Sequence, residues 1–240
     1  MKHYRYYDLV MALFVTVLLV SNILSSAKII DMGVSIGPVA LVFDAGTLLF
    51  PISYIFGDIL TEVYGYQRSR RVIWMGFFAN ALMGLFVWLA GVLPAEATWN
   101  ASVGQAAYNS ILGGVSGLVV ASLAAFFVGE FSNSYVLAKM KIATKGRWLW
   151  MRTIGSTLVG EAVDSTTFFL IATALGVFPP ELIVSLIVTN YILKVGIEVI
   201  FTPVTLLICR ALKKAENEDY YDYDTDFNPF HLDVKPAEQA

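Results

Sequence analysis

Acidic residues inside hydrophobic stretches are the most chemically informative feature of this sequence. In the segment from Phe50 to Arg71, Asp58 and Glu62 stand four residues apart among residues typical of a membrane helix. Residues four apart lie on one face of a helix, and Tyr54 extends that face by one turn. The pattern recurs in later apolar stretches, which hold Glu130 with Asn133, Glu161 with Asp164, and Asn190 with Lys194 and Glu198.

Charges in such positions are costly in a bilayer. One charged side chain at the centre of a membrane costs about 2.5–3.5 kcal/mol. Six acids and one lysine that all faced lipid would cost on the order of 20 kcal/mol together. We therefore expect these side chains to face the interior of a helical bundle. Pairing with one lysine leaves most of the acids unneutralised, so the set predicts a polar central site.

A purely structural role is the alternative for any single residue of this set. Lys194 could pair with Glu198 on its own helix, or with Glu161 or Asp164 across the bundle. Glu62 could lie at the inner membrane interface and meet a nearby arginine, Arg68 or Arg70. In that interpretation the charges only hold helices together.

The side-chain types favour a planar, hydrogen-bonding heterocycle as ligand. A buried carboxylate can accept hydrogen bonds from two adjacent N–H groups of a guanine-type edge, and aromatic faces can stack on the ring. An inorganic cation is a second hypothesis, and proton coupling is a third that is compatible with either. The predicted substrate-binding residues are Asp58, Glu62, Glu130, Asn133, Glu161, Asp164, Asn190, Lys194, Glu198, Tyr54, Phe168 and Asn22.

Composition identifies the elements that must position these residues. Of 240 residues, 57% are hydrophobic and 15% are charged, whereas soluble domains have about 45–50% and about 25%. A helix crosses the hydrocarbon layer in about 20 residues. We predict an all-α integral membrane protein, a bundle of six transmembrane helices over Leu9–Ala27, Thr47–Tyr64, Val72–Leu93, Ile111–Ala138, Trp150–Val177 and Leu182–Arg210.

Basic residues indicate the orientation of this bundle. They cluster before the first span, after the second, between the fourth and fifth, and after the sixth, and they are nearly absent from the other loops. The positive-inside rule therefore places both termini in the cytoplasm, with the helices in contact with lipid. We predict a membrane domain over 1–214 and an acidic cytoplasmic tail over 215–240. We favour a flexible tail and keep a docked plug as the alternative. The hydrophobic loop 28–46 predicts a hairpin or a re-entrant segment.

A ridge of small residues follows the fourth span. Gly113, Gly117, Ala121, Ala125 and Gly129 recur every four residues. Such ridges let helix backbones approach closely. We favour packing within the chain and keep a homodimer as the alternative.

Several functional classes lack their motifs here. The two histidines, His3 and His231, lie in the predicted tails, and the sequence has neither an HExxH motif nor a P-loop. We predict no enzyme activity, cofactor or metal site, and the net charge of −3 gives no reason to expect nucleic acid. An intramembrane aspartyl enzyme using Asp58 and Asp164, and a substrate-capture subunit of an ATP-driven importer, stay as alternatives.

Four stretches resemble one known family. They are TLLFPISYIFGDILTEVYGYQRSRRVIW over 47–74, GEFSNSYVLAKMK over 129–141, VGEAVDSTTFF over 159–169 and DTDFNPF over 224–230. They are similar to the YhhQ-type queuosine precursor transporters, also named vitamin uptake transporters. The resemblance implies uptake of deazaguanine bases: 7-cyano-7-deazaguanine (preQ0), 7-aminomethyl-7-deazaguanine (preQ1) or a queuine-like base. It also implies functional positions at Asp58, Glu62, Glu130, Asn133, Glu161 and Asp164.

Overall fold

Long helices make up most of the protein. The computed structural model describes residues 4–36, 39–113, 115–175 and 180–231. The long helices are α1 (Tyr7–Ala27), α2 (Phe50–Ile59, continued by a π-helical turn over Leu60–Tyr64), α3 (Tyr66–Val92), α6 (Val115–Ala143), α7 (Leu149–Ala174) and α8 (Ile183–Glu216). Two short helices, α4 (Ala97–Ser102) and α5 (Gln105–Tyr108), lie between α3 and α6.

The predicted hairpin after the first helix is confirmed. Strands β1 (Ile29–Ile36) and β2 (Val39–Asp44) pair antiparallel, with an irregularity between Asp31 and Ser35. The other elements of the described chain are helical, as predicted, and this segment differs because it is rich in β-branched residues, which favour extended backbone.

Each predicted span corresponds to one of the six long helical segments. By length and composition, four of the described helices can cross a membrane: α1, α3, α6 and α8. The remaining two, α2 with its π turn and α7, carry much of the buried charge. Six membrane crossings, and the cytoplasmic location of both termini, therefore stay predictions.

The helices pack around α6 and α7. Helix α6 lies along α7 and also contacts α3, while α2 packs between α6 and α8. An apolar core joins α1, α2 and α3, where Phe14, Leu18, Tyr64 and Val72 are fully buried. Large apolar side chains point outward from α3 and α8, which suits helices that face lipid.

The small-residue ridge is used inside the chain, at least over its last part. Ala121 and Ala125 are buried. A Cβ added to Gly129 would lie 2.8 Å from the Cβ of Asp164, so α6 and α7 approach too closely there for any side chain. The preferred interpretation of intramolecular packing is confirmed at these positions.

Chain segments near the two ends meet at one end of the bundle, which we call the terminal face. The Glu216 carboxylate accepts hydrogen bonds from the backbone N–H groups of Arg5 (2.9 Å) and Tyr6 (2.6 Å). The hydroxyl of Tyr4 donates to Glu218 at 2.9 Å. These bonds fasten the start of α1 to the end of α8.

The segment Asn217–His231, which we call the strap, lies folded on the terminal face. Its Asp222 carboxylate is buried and accepts a hydrogen bond from the backbone N–H of Tyr66 at 3.1 Å, at the start of α3. Arg70 donates to the carbonyl groups of Asp226 (2.8 Å) and Asn228 (2.5 Å). Over 217–231 these contacts agree with the alternative of a docked tail, because the carboxylates and carbonyls of the strap are partners for buried donors.

Candidate functional site

A cluster of buried acids lies where α2, α6, α7 and α8 meet. Each of its carboxylates is at least 95% buried, although each belongs to a helix with an apolar surface. The acid of α6 is within electrostatic range of the other four. The acidic cluster consists of Asp58, Glu130, Glu161, Asp164 and Glu198. The structure thus brings together five of the six acids that were expected to converge, and Glu62 is the exception.

An amide of the cluster orients one acid. Asn133 lies one turn after Glu130 on α6 and is fully buried. Its Nδ2 donates to Oδ1 of Asp58 at 2.9 Å, which ties α6 to α2. The second carboxylate oxygen of Asp58 has no hydrogen-bond partner among the described residues.

Lys194 supplies the positive charge that lies in direct contact with two of these acids. Its Nζ is 2.6 Å from Oδ2 of Asp164 and 3.2 Å from Oε2 of Glu161. The lysine of α8 therefore pairs across the bundle with both acids of α7, as one of the structural alternatives predicted. This arrangement neutralises the α7 side of the acidic cluster.

Two acids of the cluster lack such compensation. Among the described residues, both carboxylate oxygens of Glu130 and both of Glu198 are buried without a hydrogen-bond partner. A buried charge without a partner costs several kcal/mol. These carboxylates are therefore suited to bind something that brings its own donors, which can be a proton or a ligand with N–H groups.

Glycines bring the acids close to neighbouring helices. A Cβ added to Gly57 on α2 would lie 2.9 Å from Oε2 of Glu130, so that carboxylate rests against the α2 backbone. A Cβ added to Gly129 would lie 3.2 Å from the hydroxyl oxygen of Tyr54, which is itself buried. Tyr54 therefore lies beside the acidic cluster, as predicted.

Glu62 lies in a different environment, at the terminal face. Its Oε1 is 2.7 Å from Nη2 of Arg152, 2.5 Å from Nζ of Lys213 and 3.6 Å from Nζ of Lys141. Its predicted stripe with Asp58 assumed α-helical spacing, but the π turn over Leu60–Tyr64 changes the angle between successive residues. The predicted partners of Glu62, Arg68 and Arg70, are replaced by these three cations.

This network extends into the strap. Oδ1 of Asp219 is 2.6 Å from Nζ of Lys141 and 2.8 Å from Nζ of Lys213. Burial raises the pKa of Asp219, but hydrogen bonds and charges from the two lysines outweigh burial and hold that pKa below its ordinary value. The ionised carboxylate therefore stabilises the folded strap at neutral pH, and this contribution is lost as the pH falls through the lowered pKa.

The remaining predicted site residues lie in less charged surroundings. Asn22 of α1 is half-buried and donates to the side chain of Asn80 on α3 at 3.0 Å, which is a contact between two helices. Phe168 is half-buried and packs edge-on against Phe169, with ring centroids 5.0 Å apart. Asn190 is half-buried one turn before Lys194 on α8.

Sequence reasoning missed the role of the basic residues at the terminal face. The basic residues that flank the link between the fourth and fifth predicted spans indicate only orientation in the sequence, yet two of them, Lys141 and Arg152, are buried. Lys213 is the third cation around Glu62. Their place in the sequence could have indicated this role, because all three basic residues lie near helix ends, where the side chain of Glu62 can reach them. No group of three or more His, Cys, Asp or Glu side chains within the described ranges is placed to hold a metal ion.

The chain is similar to known bacterial proteins. The sequence model of a family described as "Putative vitamin uptake transporter" matches residues 44–208. Over 159 residues the chain is 28% identical to the probable queuosine precursor transporter of Bacillus subtilis (strain 168), covering 66% of this chain and 68% of that protein. It is 25% identical over 159 residues to the queuosine precursor transporter of Escherichia coli (strain K12), covering 65% and 67%. No solved structure matches the chain.

Proposed function

Because this chain belongs to the vitamin uptake transporter family, we propose that it is a multi-pass transporter of the bacterial inner membrane that imports queuosine precursors. The relatives' names support that class of substrate. The acidic cluster lies entirely within the matched residues 44–208. We assign the cluster as the substrate site, and we place both termini in the cytoplasm on the basis of the charged loops.

The single observation that carries this proposal is the pair of unpartnered buried carboxylates. Glu130 and Glu198 have no hydrogen-bond donor among the described residues. A deazaguanine base offers adjacent N–H groups on one edge, and a carboxylate can accept both of them. Binding of the base would therefore offset the cost of burying these carboxylates, which makes the contact selective for a ligand with paired donors.

The charge of the acidic cluster favours one type of precursor. The cluster holds five acids, and Lys194 neutralises only the part next to Asp164 and Glu161. A 7-aminomethyl base carries an ammonium group, whereas a 7-cyano base is neutral at that position. We therefore expect the aminomethyl base to bind more tightly, with queuine-like bases as a further group to test.

Proton coupling is a second part of the proposal. Acids that neither Lys194 nor a ligand neutralises are compensated most simply by protons. An imposed pH gradient should then change the rate of uptake into vesicles. Unchanged uptake would remove proton coupling but leave the binding site in place.

Thermal stabilisation of the purified protein tests the binding site. At a hundred times Kd, a bound base should stabilise the folded protein by about 2.7 kcal/mol. We expect the aminomethyl base to reach a given shift of the melting temperature at a lower concentration than the cyano base. Equal shifts would contradict the charge argument, and no shift with either base would contradict the proposed substrate.

A glycine substitution tests whether the position of Glu130 matters. In Gly57→Ala the new Cβ would lie 2.9 Å from Oε2 of Glu130, so that carboxylate must move. We expect weaker binding of the base with a melting temperature equal to or above that of the original chain, since alanine favours helix by about 0.5–1 kcal/mol. Gly196→Ala is the matched control, because nothing lies within 4 Å of its added Cβ. Equal binding by both variants would contradict the assigned role.

A further inference from the structure

The strap provides hydrogen-bond partners for the end of α2, one of the four helices that form the proposed substrate site. Carbonyl groups at the end of a helix lack donors within the helix. At the end of the π turn, the carbonyl of Val63 accepts from the backbone N–H of Tyr220 at 3.4 Å. The carbonyl of Glu62 accepts from Nζ of Lys141 at 2.6 Å, and the same Nζ donates to the carbonyl of Tyr220 at 2.7 Å.

One strap carboxylate joins three helices. Asp219 contacts Lys141 on α6 and Lys213 on α8. The same two lysines face Glu62 on α2. The Glu62 side chain is fully buried, whereas that of Asp219 is 45% exposed. Water can therefore reach the strap side of this network but not the α2 side.

The remainder of the strap holds α3 and α6. Phe227 packs against Tyr66 of α3 and Tyr135 of α6, with ring centroids 4.9 and 5.2 Å away. Trp74 of α3 donates through Nε1 to the carbonyl of Pro229 at 2.8 Å. The strap thus contacts four of the helices on the terminal face.

We propose that the strap is a gate that closes the terminal face of the transporter. While docked, it holds α2, α3, α6 and α8 together one helical turn beyond Asp58, a member of the acidic cluster. Release of the strap frees the end of α2 and opens a path between the acidic cluster and the aqueous phase at that face. The gating role rests on the proposed transport function, whereas the docking and release do not.

The contacts of the strap are of a kind that can open. Apart from the buried Asp222, they are mostly hydrogen bonds to backbone carbonyls, ion pairs with a partly exposed acid, and rings at the surface such as Phe230. Segments held in this way open at a lower free energy than the packed core. The strap can therefore undock while the helices stay folded.

The lone cysteine provides a native reporter of this opening. Cys209 is fully buried on α8 and lies four residues before Lys213, so both residues point to one side of the helix. A thiol reagent such as N-ethylmaleimide can reach it only when the terminal face opens. The rate of labelling in the purified full-length protein then follows the population of the open state.

Removing the bridging carboxylate is the direct test. In Asp219→Ala, Lys141 and Lys213 lose their ion pairs with the strap, although Lys141 keeps its hydrogen bond to the carbonyl of Tyr220. We expect labelling of Cys209 to accelerate at least about tenfold. Asp224→Ala is the matched control, since Asp224 is an exposed acid of the same segment. A wild-type rate in Asp219→Ala, or an equal increase in both variants, would overturn the gate.

A second reporter separates local opening from unfolding. In a chain with Cys209→Ala and Ala172→Cys, the thiol lies at a fully buried position of α7. Adding Asp219→Ala should leave labelling of that thiol unchanged, and faster labelling there would show general destabilisation and contradict the gate.

Labelling in the presence of the base distinguishes the gating proposal from the proposed substrate. Adding the 7-aminomethyl base at saturating concentration should change the labelling rate of Cys209 if strap and site are coupled. An unchanged rate, with thermal stabilisation by the base still present, would leave the substrate site standing and remove the gating role. A fast rate in Asp219→Ala without any stabilisation by the base would keep the strap opening and contradict the proposed substrate.

Discussion

Uptake of the 7-aminomethyl base should fall at least about thirtyfold when Glu130 is replaced by glutamine, as expected when a buried charged contact is lost. The exchange keeps the shape of the side chain but removes the negative charge and one acceptor. We expect the melting temperature to stay the same or to rise, because the carboxylate has no hydrogen-bond partner among the described residues. Uptake by cells and melting of the purified protein measure the two effects.

The opposite signs of these two effects identify a binding residue. A residue that only holds helices together would lower stability when changed, and uptake would fall with the amount of folded protein. Glu181→Gln is the control, since it makes the same chemical exchange at an exposed position. Normal uptake by Glu130→Gln would remove this carboxylate from the substrate site.

Replacing Glu62 by glutamine should have the opposite signature. The change leaves Arg152, which is fully buried, facing a neutral amide together with Lys213 and Lys141. Removing one member of a buried ion pair costs about 3–5 kcal/mol. We therefore expect a large loss of stability against denaturant in detergent, while the protein that remains folded binds the base with unchanged affinity.

A double substitution isolates the ion pair. Adding Arg152→Met to Glu62→Gln removes the uncompensated cation and should recover part of the lost stability, which a double-mutant cycle measures. If Glu62→Gln instead weakened binding of the base without lowering stability, Glu62 would belong to the substrate site as the sequence pattern predicted.

Helical periodicity was sufficient to find the acidic cluster. Asp58, Glu130 and Asp164 lie in apolar stretches where a charge facing lipid is costly, so their inward direction follows from energetics alone. The pairing of Lys194 was also within reach, because it is the one lysine among six acids in the predicted spans. These predictions depend on averages over a helix, and they tolerate errors of one or two residues at its ends.

Glu62 and the strap depended on features that a periodic pattern does not contain. The π turn at Leu60–Tyr64 shifts the phase of the helix, and no residue type signals it in advance. The strap is rich in acids and lacks an apolar periodicity, which is typical of flexible tails. Its order depends on donors that are distant in sequence, such as Arg70 and the backbone N–H of Tyr66.

The π turn also makes a change of register in α2 geometrically possible. A π turn contains one residue more than the α-helical turn that it replaces. The helix returns to regular α-helical hydrogen bonding if the residues before the turn shift along the helix by one position. Such a step moves the preceding turns by about 1.5 Å along the axis and rotates them by about 100°. Asp58 would then swing around the helix while Gly65 and α3 stay fixed. Such a step would reorient the Asp58 carboxylate without breaking the helix.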